Sequence, residues 1–265
     1  MNQRYVGALV LAPLLLLIFL GGYYLKISVV LLSLGGMYEF YRVSRISGYK
    51  PVATVGYILC LAYYMYIGNG FNLAIAVNVF ILVVFLLMIL PVINTERNFI
   101  DIGLTILPCF YVAVFFSFIL LLSMEKNGNY FVWLIFISSW CCDTMAYYFG
   151  RYLGKRKLVP KVSPKKTVAG GIGGLLGSVL GCTIFGYIIS RYGINVQLYH
   201  YVWIGVLGGV FGQCGDFVAS SIKRHTGVKD YSNLIPGHGG ILDRFDSILL
   251  VSVVVYYYIN IFVLV

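Results

Sequence analysis

Charge is what this 265-residue sequence has least of: Asp, Glu, Lys and Arg together make up 11% of it, and only nine residues are acidic. A soluble domain carries about 25% charged residues. With 60% hydrophobic residues as well, the scarcity excludes a soluble globular enzyme and a disordered chain. There is no Cys-x-x-Cys pair among the six cysteines, and they stand mostly alone in apolar runs. They read as small buried hydrophobes rather than as a disulfide framework. His200, His225 and His238 show no zinc spacing, and no Gly-x-x-x-x-Gly-Lys-Ser/Thr loop is present. No polar stretch is long enough to fold alone. What remains is an all-α polytopic integral membrane protein.

Apolar runs long enough to be considered for crossing a bilayer fall near 5–24, 26–41, 52–68, 71–93, 102–123, 130–150, 170–190, 201–222 and 242–264. The first follows Arg4 and resembles a signal peptide. It has no small-residue cleavage site after it, only Gly21-Gly22-Tyr23, so it reads as a true span. Nine alternating spans place sixteen of the nineteen basic residues on one side, and leave Lys26, Lys126 and Arg191 on the other. The positive-inside rule then puts the N-terminus in the cytoplasm and the C-terminus outside. The formal charge of +10 therefore points to anionic headgroups of the inner leaflet and not to nucleic acid. The chain reads as one membrane domain, 1–265. Residues 1–125 form the N-terminal helices, and 126–265 the catalytic helices with two long cytoplasmic loops, near 151–169 and 223–241. The glycine run from Gly170 to Gly181 reads first as close helix packing, with phosphate binding at its first turn as the sharper alternative. Small-residue faces permit a homodimer without requiring one. The lack of long tails favours a bacterial cytoplasmic membrane, with the site facing the cytoplasm.

An acid inside so apolar a chain is costly and is functional by default. Glu96, Asp101 and Glu125 fall in short loops and read as solvated. Glu39, flanked by Tyr38 and Phe40, reads as interfacial. Asp143 and Asp216 lie inside two different spans, each roughly 10 Å below the cytoplasmic surface at 1.5 Å per residue. Asp243 and Asp246 open the last span at i, i+3 and share one helix face. Four acids converging on one depth call for a cation. Carboxylate oxygens suit Mg²⁺, alone or with a second cation. Loops rich in Lys, Arg and Gly beside them are equipment for a phosphate substrate.

Two blocks carry a specific likeness. One is Ser220-Ser221-Ile222-Lys223-Arg224, then Lys229-Asp230, then Pro236-Gly237-His238-Gly239-Gly240-Ile241-Leu242-Asp243-Arg244-Phe245-Asp246. The other is Asp143, Ala146, Tyr147, Gly150 and Gly154, followed by Ser163-Pro164-Lys165-Lys166-Thr167 and Gly170. The chain resembles the phosphatidate cytidylyltransferase (CDP-diacylglycerol synthase) family. The likeness implies a Mg²⁺-dependent nucleotidyltransferase that joins CTP and phosphatidic acid into CDP-diacylglycerol and pyrophosphate. Asp216 and Asp246 are then the leading metal ligands, with Asp243 next and Asp143 in support. Asp246, Asp243, Lys223 and His238 carry the catalytic expectation. Ser163, Lys165, Lys166 and Thr167 are expected to hold the triphosphate. Lys223, Arg224, Lys229, Gly239, Gly240 and Arg244 are expected to contact phosphate, lipid or nucleotide, with structural bridging as the alternative for Arg244. Asp230 reads either as a partner of Lys229 or Arg224 or as a solvated loop acid. Two positions depart from the family: Ala169 and Ala219 stand where Glu is usual, which leaves the level of activity open. A CTP-dependent lipid kinase of polyprenol type is the nearest rival reading. An ion-coupled transporter is the rival from another class.

Overall fold

The computed structural model describes residues 13, 17–67 and 73–264. The helices are α1 (Gly22–Ile46), α2 (Ala53–Tyr66), α3 (Leu73–Ile93), α4 (Phe99–Met124), α5 (Gly128–Leu153), α6 (Val168–Ser190), α7 (Leu198–His225) and α8 (Leu242–Phe262). Between α5 and α6 lies an antiparallel hairpin of β1 (Lys157–Val159) and β2 (Ser163–Thr167). The first apolar segment, 5–24, lies largely outside the described residues. The other eight expected segments are helical. Of the described helices, α4, α6, α7 and α8 are long and apolar enough to cross a membrane. The hairpin is a correction to the sequence reading, which treats 151–169 as plain loop.

The helix ends explain themselves in part. Asn98 caps α4, and Asp101 returns the bond to the Asn98 amide, so both orphan ends of the first turn are satisfied. Asp101 also accepts from the Lys50 amide at 2.7 Å and is 1% exposed. The solvated reading of Asp101 is therefore overturned: Asn-x-x-Asp is a capping box. Glu96 is exposed as expected, and its hydrogen bond from Lys50 holds its carboxyl below the usual range. Thr167 caps α6 through the Gly170 amide. Gly48, Gly193 and Gly227 take positive φ just after α1, α6 and α7, the backbone conformation that ends helices at little cost to glycine alone.

The bundle α5–α8 is held close by its glycines. A Cβ on Gly174 would lie 2.9 Å from the Cys142 sulfur and 3.1 Å from the Ala146 methyl on α5. One on Gly208 would lie 2.7 Å from Ser138. One on Gly215 would strike the Asp246 carbonyl and the Ser247 Cα on α8. The glycine run thus serves packing, as first read. All six cysteines are free thiols; four are buried, but Cys214 is exposed, against the expectation of uniform burial.

The start of α8 has no capping side chain of its own. Its cap comes from α1. Glu39 is 0% exposed and accepts from the amides of Ile241 and Leu242, each at 2.8 Å, and from the Ser232 hydroxyl at 2.5 Å. A carboxylate at a helix N-terminus is favoured by the free amides and by the helix dipole. The interfacial reading of Glu39 is overturned: its aromatic neighbours in sequence say nothing of a partner two hundred residues away. Arg42, one turn on, donates to the Tyr231 carbonyl at 2.8 Å. Together they fasten the 226–241 loop to α1.

Removing this acceptor leaves three buried donors unpaired. Glu39→Ala is expected to cost roughly 2–4 kcal/mol, seen as a lower melting temperature in detergent micelles. Glu39→Gln, which keeps one acceptor oxygen, is expected to recover part of the loss. An unchanged melting temperature for Glu39→Ala overturns the capping role.

Candidate active site

Three of the four acids expected to converge come from three helices. Asp143 lies on α5, Asp216 on α7 and Asp246 on α8. Because Gly215 has no side chain, α7 approaches the α8 backbone at Asp246 itself. The Asp216 and Asp246 carboxylates thereby come within hydrogen-bonding reach of each other. Asp143 lies within electrostatic reach of Asp216, Lys166 and Arg244. Lys166, from β2, forms an ion pair with Asp216, and its ammonium sits 4.5 Å from the centre of the Phe217 ring. The hairpin that delivers Lys166 also ends in the Thr167 cap, so strand and helix fix its place.

A cavity of about 370 Å³ opens beside this group, between α5, α6, α7 and the hairpin. Asp143, Lys165, Lys166, Thr167, Gln213 and Asp216 line it. Gln213 was not singled out by the sequence; it braces α6 by donating to the Gly171 carbonyl at 3.1 Å. A larger cavity of about 410 Å³ between α2, α3 and α4 is lined by apolar and aromatic residues without a charge. It has nothing with which to hold a phosphate.

Other expected site residues are placed differently. Asp243 does not face the acid pair as a free ligand. It accepts from Lys223 at 2.7 Å, from the Tyr231 amide at 2.8 Å and from the Gly240 amide at 2.9 Å, with its side chain 4% exposed. Lys223 is thus committed to Asp243, its ammonium also lying 5.4 Å from the centre of the Tyr231 ring. Gly239 has φ of 83°, and a Cβ on Gly240 would run into the Glu39 carboxylate. Their bareness serves loop closure. His238 is within 3.3 Å of the Pro236 carbonyl, and its own carbonyl accepts from Arg244 at 2.6 Å. Arg244 is therefore both a loop bridge and a cation near Asp143. Arg224 reaches the Val162 carbonyl of the hairpin turn at 3.4 Å. Lys229 and Asp230 are exposed, and Asp230 forms no ion pair among the described residues. Ser163 pairs through β2 with Val159. Burial, reinforced by the neighbouring Tyr111, raises the Tyr231 phenol far above its usual range, so it remains a neutral donor, bonded to the Ala219 carbonyl at 3.3 Å.

Two carboxylates from separate helices, with a cavity alongside, are a hard-oxygen donor set. Mg²⁺ is commonly held by one or two carboxylates, with phosphate oxygens and water completing its shell. The Asp216–Asp246 pair fits that pattern. Among the described residues no three His, Cys, Asp or Glu side chains close into a metal cluster, so a caged ion of the zinc or calcium kind does not fit.

The arrangement has relatives. Residues 2–262 match the model of the cytidylyltransferase family. A phosphatidate cytidylyltransferase of Bacillus subtilis is 30% identical over 99% of this chain and 98% of its own length. One from Staphylococcus haemolyticus is 32% identical over 93% and 92%, and one from Staphylococcus saprophyticus is 39% identical over 63% of each chain. A full-length match to the family model, with the acid pair and the basic hairpin in one bundle, leads to one conclusion: this chain belongs to the cytidylyltransferase family.

Proposed function

We propose that the protein moves a cytidylyl group from CTP to phosphatidic acid, forming CDP-diacylglycerol and pyrophosphate. The observation that carries this reading is the Asp216–Asp246 pair with Lys166 bonded into it. It is a carboxylate site with its own counter-cation, beside a cavity whose lining includes Asp143, Lys165 and Lys166, in a chain that matches relatives named for this chemistry along their length.

In the reaction a phosphate oxygen of phosphatidic acid attacks the α-phosphorus of CTP. The bond from that phosphorus to the bridging oxygen breaks, and pyrophosphate leaves with the electron pair. Both reactants are anions and repel each other, so neutralisation is the main task of the site. Asp216 and Asp246 would hold Mg²⁺, with Asp143 beside them. The ion, when bound, supplies positive charge and polarises phosphoryl oxygens. Lys165 and Lys166, on the hairpin with Ser163, would take the triphosphate and then the departing pyrophosphate. Arg244 would balance Asp143, while Arg224 at the end of α7 and Lys229 and His238 on the loop after it would meet incoming phosphate. Lys223 and Asp243 act through each other, holding the 226–241 loop rather than touching the reacting atoms.

The membrane frame of this reading is nine spans, with the N-terminus and the two basic loops in the cytoplasm of a bacterial cell. It is supported by the lopsided distribution of basic residues. It lets the lipid stay in the leaflet while its headgroup meets a soluble nucleotide.

Two outcomes are expected. Purified protein given labelled CTP, phosphatidic acid and Mg²⁺ yields labelled CDP-diacylglycerol and pyrophosphate, and chelation stops it. Release of CDP together with a phosphorylated lipid overturns the reading in favour of a lipid kinase. In the same assay Asp246→Asn lowers turnover by on the order of a hundredfold. Near-normal turnover of this variant at limiting Mg²⁺ removes Asp246 from the metal site.

A further inference from the structure

Helix α4 is not uniform. Over Cys109–Val114 it widens into a π turn, directly after Pro108. Such turns insert an extra residue, shift the faces of the helix, and are frequent at functional sites. Here the two faces have opposite chemistry. Cys109, Phe110, Ala113 and Val114 line the apolar cavity. Tyr111 points the other way, into the protein, with its ring between Phe40 at 6.4 Å and Phe115 at 6.1 Å.

Tyr111 is 7% exposed, yet its hydroxyl has no hydrogen-bond partner among the described residues. A buried hydroxyl left unpaired costs about 1–3 kcal/mol and calls for an explanation. The acids that act on it electrostatically are Asp246 and Asp216. One turn further along α4, Phe116 packs against Phe245, the residue before Asp246, at 6.0 Å. The helix just after the π turn therefore stands against α8 beside Asp246, and the π turn itself packs on α1. Two other hydroxyls are buried and unpartnered among the described residues, Ser178 beside Gly209 and Tyr201 against Gly186.

A buried phenol with an unpaired hydroxyl, within electrostatic reach of two carboxylates, still has a hydrogen bond to donate. Ionised carboxylates only accept, whereas a phenol donates. Such a place suits an anionic oxygen that is held partly by the acids' cation and partly by the hydroxyl. We propose that the Tyr111 hydroxyl is a further wall of the site, donating a hydrogen bond to a phosphate oxygen of the reacting nucleotide or lipid held beside Asp216 and Asp246. The proposal rests on the acid pair being the reaction site. It adds the N-terminal half of the chain to the group that touches substrate.

The test is Tyr111→Phe in the full-length protein, which removes one oxygen and keeps the ring between Phe40 and Phe115. Two quantities are read: turnover with CTP, phosphatidic acid and Mg²⁺, and the rise in melting temperature produced by inorganic pyrophosphate with Mg²⁺. The expected result is a loss of kcat/KM of roughly tenfold to a hundredfold, the scale of one hydrogen bond to a charged group. It comes with a smaller pyrophosphate shift and an unliganded melting temperature equal to or above the parent's. Parent-like turnover together with a parent-like pyrophosphate shift overturns the proposal. So does a lowered unliganded melting temperature, which assigns the hydroxyl to the fold. If the parent protein gives no CDP-diacylglycerol yet responds to pyrophosphate, the cytidylyl-transfer reading fails, while loss of that response in Tyr111→Phe still supports Tyr111.

Discussion

A carboxylate enclosed in an apolar chain must be given donors or a cation, and most of this structure follows from how its few acids meet that demand. Glu39 and Asp243 are given donors. Between them they take three backbone amides of the 240–242 turn, the Tyr231 amide, the Ser232 hydroxyl and the Lys223 ammonium. Asp101 is satisfied by the amides of Asn98 and Lys50. Asp216 and Asp246 face one another, with Lys166 on Asp216 and the adjacent Ser247 amide on Asp246. The first three acids are structural because their lone pairs are used. The pair is a candidate for chemistry because its members still have each other to contend with.

That division was only half legible in the sequence. Apolar runs marked the described helices because side-chain hydrophobicity is a local property. The glycines at 174, 208 and 215 announced close packing because absence of a Cβ is also local. Asp143, Asp216 and Asp246 stood out by depth along their helices. Asp243 shared the same signal, and nothing in the chain distinguishes an acid that meets Lys223 and two amides from one that meets a second carboxylate. The capping role of Asp101 was present as Asn-x-x-Asp, a readable pattern. Glu39 left no local trace, since its partners lie 193 to 203 residues away. The Tyr111 hydroxyl was equally hidden: a tyrosine in an apolar run reads as core, and only the π turn gives it a direction.

The two positions where the family usually has Glu also acquire a setting. Ala219 is fully buried beneath Tyr231, which bonds its carbonyl. Ala169 lies in the first turn of α6, just after the Thr167 cap. The hairpin and the 226–241 loop keep their form through backbone and capping bonds that require neither acid.

The pairing of Glu39 with the start of α8 also has a consequence for how the protein is made. Its amide partners are 202 and 203 residues downstream, so the carboxylate reaches the bilayer long before they exist. At about 5–20 residues per second of synthesis, the wait is roughly 10–40 seconds. Throughout that interval α1 must keep the group neutral or hold it at the headgroup level. The last helix, on arrival, then draws α1 into register and fastens an early part of the chain to its latest.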